Sequence, residues 1–417
     1  VHITQKKNLA VIIGNALEYY DFMLYGFFAT ILAPLFFPSE SPSLSFIASI
    51  GSFGAGFLAR PLGGIVFGHF GDRWGRKDSL SLSILLVSIP TLCIALLPTY
   101  EQIGIWAPLL LVFSRIFQGF CLGGETSGAV TYFLENVKPH EKDIASSWLV
   151  LSCYVGTLFG TVLGAIFTMS FMPSWGWRLT FLMGSLIAII GYYIRRKLNE
   201  TPEFLECEKQ GKILKIPLLQ LFKSKKMNLF YAASISPAII TPFFIIFIYL
   251  NSIFTKKLGL EPSFVFMLNA GLMVFWILLL PQFGALAQRF GRRVVMNGGL
   301  LGMAIFSYPL FLLIGTEPKF ENILLAQLIL SLFAMAYAAP SSALLVDLFP
   351  VAERYSGIAF GYSLGHAIFG GVMPILLTTL SHSFEFYLAP VGFIMFSCLL
   401  GSLALQKKSL FLKHQRI

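Results

Sequence analysis

Two acids, Glu18 and Asp21, stand in the run GNALEYYDFMLYG, inside the apolar stretch 9–37. A charged side chain at a bilayer centre costs about 2.5–3.5 kcal/mol on insertion scales. Residues three apart share a helix face, so both acids point the same way. Such a pair suits a buried path for protons or polar solutes. The plainer reading is a salt-bridged pair that only locks helices together. Three further charged residues fall well inside apolar stretches: Arg60, Arg115 and Glu125. Counted from the basic ends of their stretches, Asp21 and Arg115 lie roughly 18–27 Å deep, and Glu18, Arg60 and Glu125 roughly 12–15 Å. That ordering pairs Asp21 with Arg115 and leaves Arg60 shared between Glu18 and Glu125. Three acids then face two guanidiniums, which do not release their protons. The carboxyl in excess can hold a proton until its partner or hydration changes, which is the core of proton coupling. Glu18 or Glu125 is the expected titrating group; the alternative is a static ion network. His366, alone in another apolar stretch, could relay protons, but a helix-to-helix hydrogen bond is the favoured reading.

Membrane helices must position these groups. The chain has 417 residues, 56% hydrophobic and 12% charged, with a mean hydropathy of +0.76. Soluble proteins carry about twice that charged fraction. Apolar spans are predicted near 9–37, 44–70, 79–97, 105–133, 145–170, 179–197, 229–254, 262–288, 294–314, 321–346, 355–380 and 386–406. The fold class expected is an all-α membrane protein of twelve transmembrane helices in two six-helix bundles. Of the 30 Lys and Arg, 24 fall on the side that holds both termini. Four fall opposite (Arg178, Lys256, Lys257, Lys319), and Arg60 and Arg115 lie within spans. That bias puts both termini in the cytoplasm. It also accounts for the net charge of +10 without nucleic acid. The first apolar stretch is too long for a cleavable signal. The five cysteines show no metal-ligand spacing and read as packing residues.

The longest hydrophilic stretch, 198–228, divides the spans six and six, giving an amino-terminal bundle at 1–197, a cytoplasmic linker and a carboxy-terminal bundle at 229–417. GHFGDRWGRK (68–77) after span two matches GALAQRFGRR (284–293) after span eight, 216 residues on. A second pair, 134–145 and 348–359, keeps nearly that offset. Six-plus-six duplication is an architecture of secondary transporters, with the solute site between the halves near the midplane. Gly156, Gly160 and Gly164 form a small-residue stripe for close helix packing. Pro237, Pro242 and Pro340 remove helix donors and predict bends.

These motifs together resemble the major facilitator superfamily. GHFGDRWGRK resembles that family's loop signature between spans two and three, and SRIFQG (114–119) its span-four motif. GNALEYYDFMLYG, ARPLGG, QGFCLGGE, SWGWR, NETPEF and LFPVAERYSG resemble its metabolite:proton symporter branch, and most of all the bacterial proline/betaine type. The resemblance implies a cytoplasmic gate in which Asp72 caps a facing helix while Arg73 and Arg76 join a charge relay. Glu135 is the expected acid for Arg76, and Arg292 is the second-half counterpart. Gln288 stands where the second half would carry the matching acid, so that gate is expected to lack its charge. Arg115 replaces the lysine of proline/betaine-type members. The chain ends about ten residues after span twelve, so a coiled-coil tail and osmotic activation are not expected.

The resemblance implies import of a small polar metabolite by proton symport, through alternating access in the bacterial inner membrane. A monomer with no cofactor beyond the coupling proton is expected. The solute cavity is assigned to Tyr25, Gln118, Thr241, Tyr249 and Tyr337 beside the charged groups. A proline- or betaine-like zwitterion is the leading solute, and an organic di- or tricarboxylate the alternative. An efflux antiporter and a non-transporting sensor fit less well. No nucleophile–base set, metal-ligand cluster or phosphate-binding loop points to an enzyme.

Overall fold

A computed structural model describes residues 6–40, 42–167, 172–256, 258–373, 376–377 and 388–406. Among the described residues it is helical, with no strand. Parts of expected spans five, eleven and twelve, and Lys257, lie outside the described residues. The twelve long rods are α1 (Lys6–Phe36), α2 (Pro42–Arg73), α3 (Arg76–Leu96), α4 (Trp106–Glu135), α5 (Lys142–Phe167) and α6 (Trp177–Arg196), then α7 (Lys226–Thr255), α8 (Pro262–Phe290), α9 (Arg292–Thr316), α10 (Phe320–Leu348), α11 (Arg354–His366, continued by a π-turn at Ala367–Val372) and α12 (Leu388–Leu405). Among the described residues, nine are long and apolar enough to cross a bilayer by the strictest measure of length and hydropathy. Two short helices, Pro202–Lys209 and Pro217–Ser224, lie between α6 and α7.

The outer surface is apolar: Leu58, Leu62, Phe113, Leu278 and Leu301 are exposed, as suits a lipid solvent. Polar side chains point inward instead. The duplicated turns share one backbone device. Gly75, between α2 and α3, has φ +121°, and Gly291, between α8 and α9, has φ +91°. Both sit in the region that only glycine adopts without strain, at the same place in the two repeats.

Proline sets the breaks in the second half. The helix of α7 restarts at Pro237 and passes through a π-turn at Ile245–Tyr249. The helix of α10 breaks at Pro340 between Ala338 and Ser341. A first-half hydroxyl mends that break: Ser146 Oγ of α5 donates to Ala339 O at 2.6 Å and accepts from Ser342 N at 3.1 Å. The halves also meet along α2 and α11, where glycines let backbone approach backbone at several points. A Cβ on Gly54 would lie 2.8 Å from Gly371 O, and one on Gly68 2.7 Å from Ser356 Cα.

Candidate functional site

The charged residues of the first half gather in three groups. On α1, Asp21 Oδ2 accepts from Thr91 Oγ1 of α3 at 2.6 Å and from Gln118 Nε2 of α4 at 3.0 Å. Gln118 Oε1 in turn accepts from Arg115 Nη1 at 2.6 Å. The expected Asp21–Arg115 pair is thus relayed through an amide. The Arg115 guanidinium also lies over the Tyr25 ring at 4.4 Å and the Phe53 ring at 5.4 Å. In the second group, Arg60 Nη2 donates to Thr126 Oγ1 at 3.0 Å, which donates to Glu18 Oε1 at 2.8 Å. All these residues are buried.

The third group corrects the expectation for Glu125. Its carboxylate pairs directly with Arg195 of α6, not with Arg60, and accepts from Ser83 Oγ of α3 at 2.5 Å. Arg195 is fully buried and also donates to Leu80 O at 3.2 Å. Gly14 of α1 makes its berth, since any Cβ there would collide with the guanidinium. Three acids therefore face three guanidiniums, and the excess-carboxyl count does not hold. Arg195 is hard to read from sequence because it stands beside Arg196 and Lys197 at a span end, where basic residues set topology.

At the basic end, charges meet charges. Asp72 caps α11, accepting from Tyr355 N at 3.1 Å and Ser356 N at 2.8 Å. A carboxylate there satisfies unpaired helix N–H groups and the positive end of the helix dipole. Arg76 lies 2.8 Å from Asp72 Oδ1 and 3.3 Å from Glu135 Oε2, and donates to Val351 O of the second half at 2.5 Å. Arg354 joins Glu135 at 2.8 Å and Glu203 at 2.5 Å. Glu200 accepts from the Lys77 amide at 3.2 Å, and burial pushes its carboxyl above the ordinary range. Arg73 takes no part in this relay; it is exposed and stacks over Trp74. The second-half gate does carry an acid. Arg292 pairs with Asp347 at 2.9 Å and with Asp143, a first-half residue, at 2.5 Å. Asp143 supplies the charge that Gln288 lacks.

Between the halves lies a cavity of about 80 Å³. Tyr19, Tyr154, Phe243 and Tyr362 give it aromatic walls, and Asn15, Thr126, Ser341 and Ser342 are among its polar groups. Tyr154 packs further, at a tilt, on Trp276 (4.5 Å) and Phe247 (5.7 Å). His366 borders this cavity and a smaller one shared with Glu18 and Arg60. It also contacts Ser236 Oγ of α7, linking two helices.

The five residues assigned to solute binding line neither cavity. Tyr25 and Gln118 belong to the Arg115 group. Thr241 accepts from Ser397 Oγ of α12 at 2.7 Å, Tyr337 donates to Ile235 O at 3.5 Å, and Tyr249 packs on Phe311. The residues missed are neutral: Asn15, Tyr19, Tyr154, Ser341, Ser342 and Tyr362. One signal was available, since Asn15, Tyr19 and Met23 recur at four-residue spacing beside the acids.

Residues 7–214 match the family model for sugar (and other) transporters, and residues 241–413 that for the major facilitator superfamily. The chain is 34% identical to the citrate-proton symporter of Klebsiella pneumoniae over 406 residues, covering 95% of this chain and 90% of that one. It is 31% identical to the proline/betaine transporter of Escherichia coli (strain K12) over 417 residues, covering 95% and 82%. In fold it is similar to the solved proton:xylose symporter XylE, with a TM-score of 0.78 at 20% identity over 96% of this chain and 94% of that one. Two six-helix repeats, a charged gate at one end and a polar cavity between them agree with these likenesses: the chain is a multi-pass membrane transporter and belongs to the major facilitator superfamily.

Proposed function

We propose that the chain imports a small zwitterion of the betaine or proline type by proton symport, as a monomer with its basic end in the cytoplasm. The bundles 1–197 and 229–417 rock about the cavity between them, with 198–228 as the linker. One observation carries the choice of solute. The main cavity offers four aromatic walls and neutral hydrogen-bonding groups, with no Lys or Arg among its lining residues. A quaternary or secondary ammonium is attracted to aromatic faces within about 6 Å. The single carboxylate of a zwitterion finds hydroxyl and amide donors, with Arg60 next door. A tricarboxylate would bring several charges into a wall without a cation, which burial penalises.

Glu18 is the proton-carrying group in this reading. Glu125 is fixed by direct contact with Arg195, and Asp21 accepts two hydrogen bonds, from Thr91 of α3 and Gln118 of α4. Glu18 is hydrogen-bonded to Thr126, which is hydrogen-bonded to Arg60, so a small shift of α4 alters its surroundings. The gate at the basic end is closed, and opening it exchanges those ion pairs for water. Coupling requires that proton and solute favour the same state.

Proteoliposomes holding the purified chain, with an imposed pH gradient, test the reading. Labelled glycine betaine or proline accumulates and a protonophore abolishes the accumulation. Accumulation of citrate with neither zwitterion transported would overturn the solute assignment.

A further inference from the structure

The smaller cavity, about 20 Å³, lies between the halves beside Glu18, Arg60 and His366. That is room for about one water. Glu18 is 3% exposed, and its Oε2 has no hydrogen-bond partner among the described residues. His366, equally buried, comes from the opposite half. Its Nδ1 contacts Ser236 Oγ and, at 3.3 Å, the carbonyl of Tyr362. With the hydrogen on Nδ1, where that carbonyl can accept it and the Ser236 hydroxyl can too, Nε2 is left as an acceptor. The imidazole sits on the last residue before the π-turn Ala367–Val372, and π-turns gather at functional sites.

We propose that Glu18 and His366 form one proton site, divided between the two halves and joined by a single water in the smaller cavity. In the loaded form Glu18 Oε2–H donates to the water, which donates to His366 Nε2. For release, the water takes the Glu18 proton as it passes its own to Nε2. One O–H bond on Glu18 is lost, one N–H bond on His366 is gained, and the water is regenerated. The imidazolium then gives its Nε2 proton to solvent when the halves part.

Other titratable and charged groups surround the two cavities. Tyr19 faces them from α1, Arg60 from α2, Cys153 and Tyr154 from α5, and Tyr362 from α11 itself; α4 presents Thr126, with Glu125 held by Arg195, and α7 presents Ser236 to the imidazole. The Arg60 cation repels an imidazolium, so charge crosses His366 without resting there.

This inference rests on the proton-symport reading, and the test separates the two. His366→Gln keeps an amide for hydrogen bonding but cannot carry the proton. In proteoliposomes with labelled glycine betaine, gradient-driven accumulation falls at least about tenfold. Betaine exchange at equal pH is measured beside it, and accumulation falls further than exchange does. Full accumulation by His366→Gln overturns the divided site and leaves symport standing. No accumulation by the wild type overturns symport itself. If His366→Gln also loses exchange, the infrared carboxyl band that disappears in Glu18→Gln decides. A band that titrates at a different pH in His366→Gln supports the site, and an unchanged titration overturns it.

Discussion

The basic end and the middle of this membrane protein use the same residue types in opposite ways. At the basic end Arg76, Arg292 and Arg354 touch carboxylates directly and bridge the two halves. In the middle, Glu18 and Asp21 reach their guanidiniums through Thr126 and Gln118. Direct pairs are strong when intact and must be broken as a set, which suits a gate with two positions. Relayed pairs leave carboxylate oxygens open to other partners, and Glu18 Oε2 and Asp21 Oδ1 have none among the described residues. An acid in that setting can change its proton without tearing an ion pair apart. Glu125 with Arg195 is the exception in the middle, a direct pair within one half.

The comparison is broken most severely at that exception. Arg195→Met leaves the Glu125 carboxylate buried without its cation and costs about 3–5 kcal/mol. The melting temperature in detergent falls accordingly, and adding Glu125→Gln restores most of it. A loss below about 1 kcal/mol would mean that the pair is not structural. Next comes the gate. Arg76→Ala removes links to Asp72, Glu135 and Val351 together and shifts the protein toward opening at its basic end. Alkylation of Ser146→Cys from that side, in a background without other cysteines, rises about tenfold or more, as a shift of 1.4 kcal/mol or greater requires. Unchanged alkylation would show that the remaining pairs hold the gate alone.

A smaller effect sharpens the solute side. Tyr154→Leu removes one aromatic wall and raises the KM for glycine betaine about 5- to 30-fold, as loss of a desolvated cation–π contact of about 1–2 kcal/mol predicts. The smallest effect concerns a residue that the cavity does not contain. Tyr337→Phe changes KM by less than about twofold, because its hydroxyl makes only a long bond to Ile235 O. A large change would bring the α10 face back into the solute path.

The fold was legible because lipid allows few solutions: long apolar runs, a basic bias and a repeat of 216 residues leave little else. The charged residues were legible for the same reason, since each is conspicuous against its span. Their partners were not. Thr126 and Thr91 look like ordinary helix residues, and their role is fixed by which helix packs against which. Arg195 was hidden by two basic neighbours. Gln288 suggested an uncharged gate because a repeat comparison sees only equivalent positions, whereas Asp143 enters from the other half. Tyr249 and Tyr337 have the right chemistry for a cavity, but residue type does not give direction, and their rings turn toward α9 and α12.

The seam between α2 and α11 has a mechanical consequence. Side chains that interlock must climb out of one another's hollows before two helices can turn. Where Gly54 meets Gly371 and Gly64 meets Ala359, backbone rests on backbone and offers no side chain to disengage at those points, while the rings of Phe57 and Tyr355 cross the seam elsewhere. Such a contact works as a bearing, fixing the spacing between the halves while resisting tilt only weakly. A single methyl group at position 54 would press on Gly371 O and force the seam apart there. The points where two backbones touch, as much as any charged residue, then set how readily this protein can move.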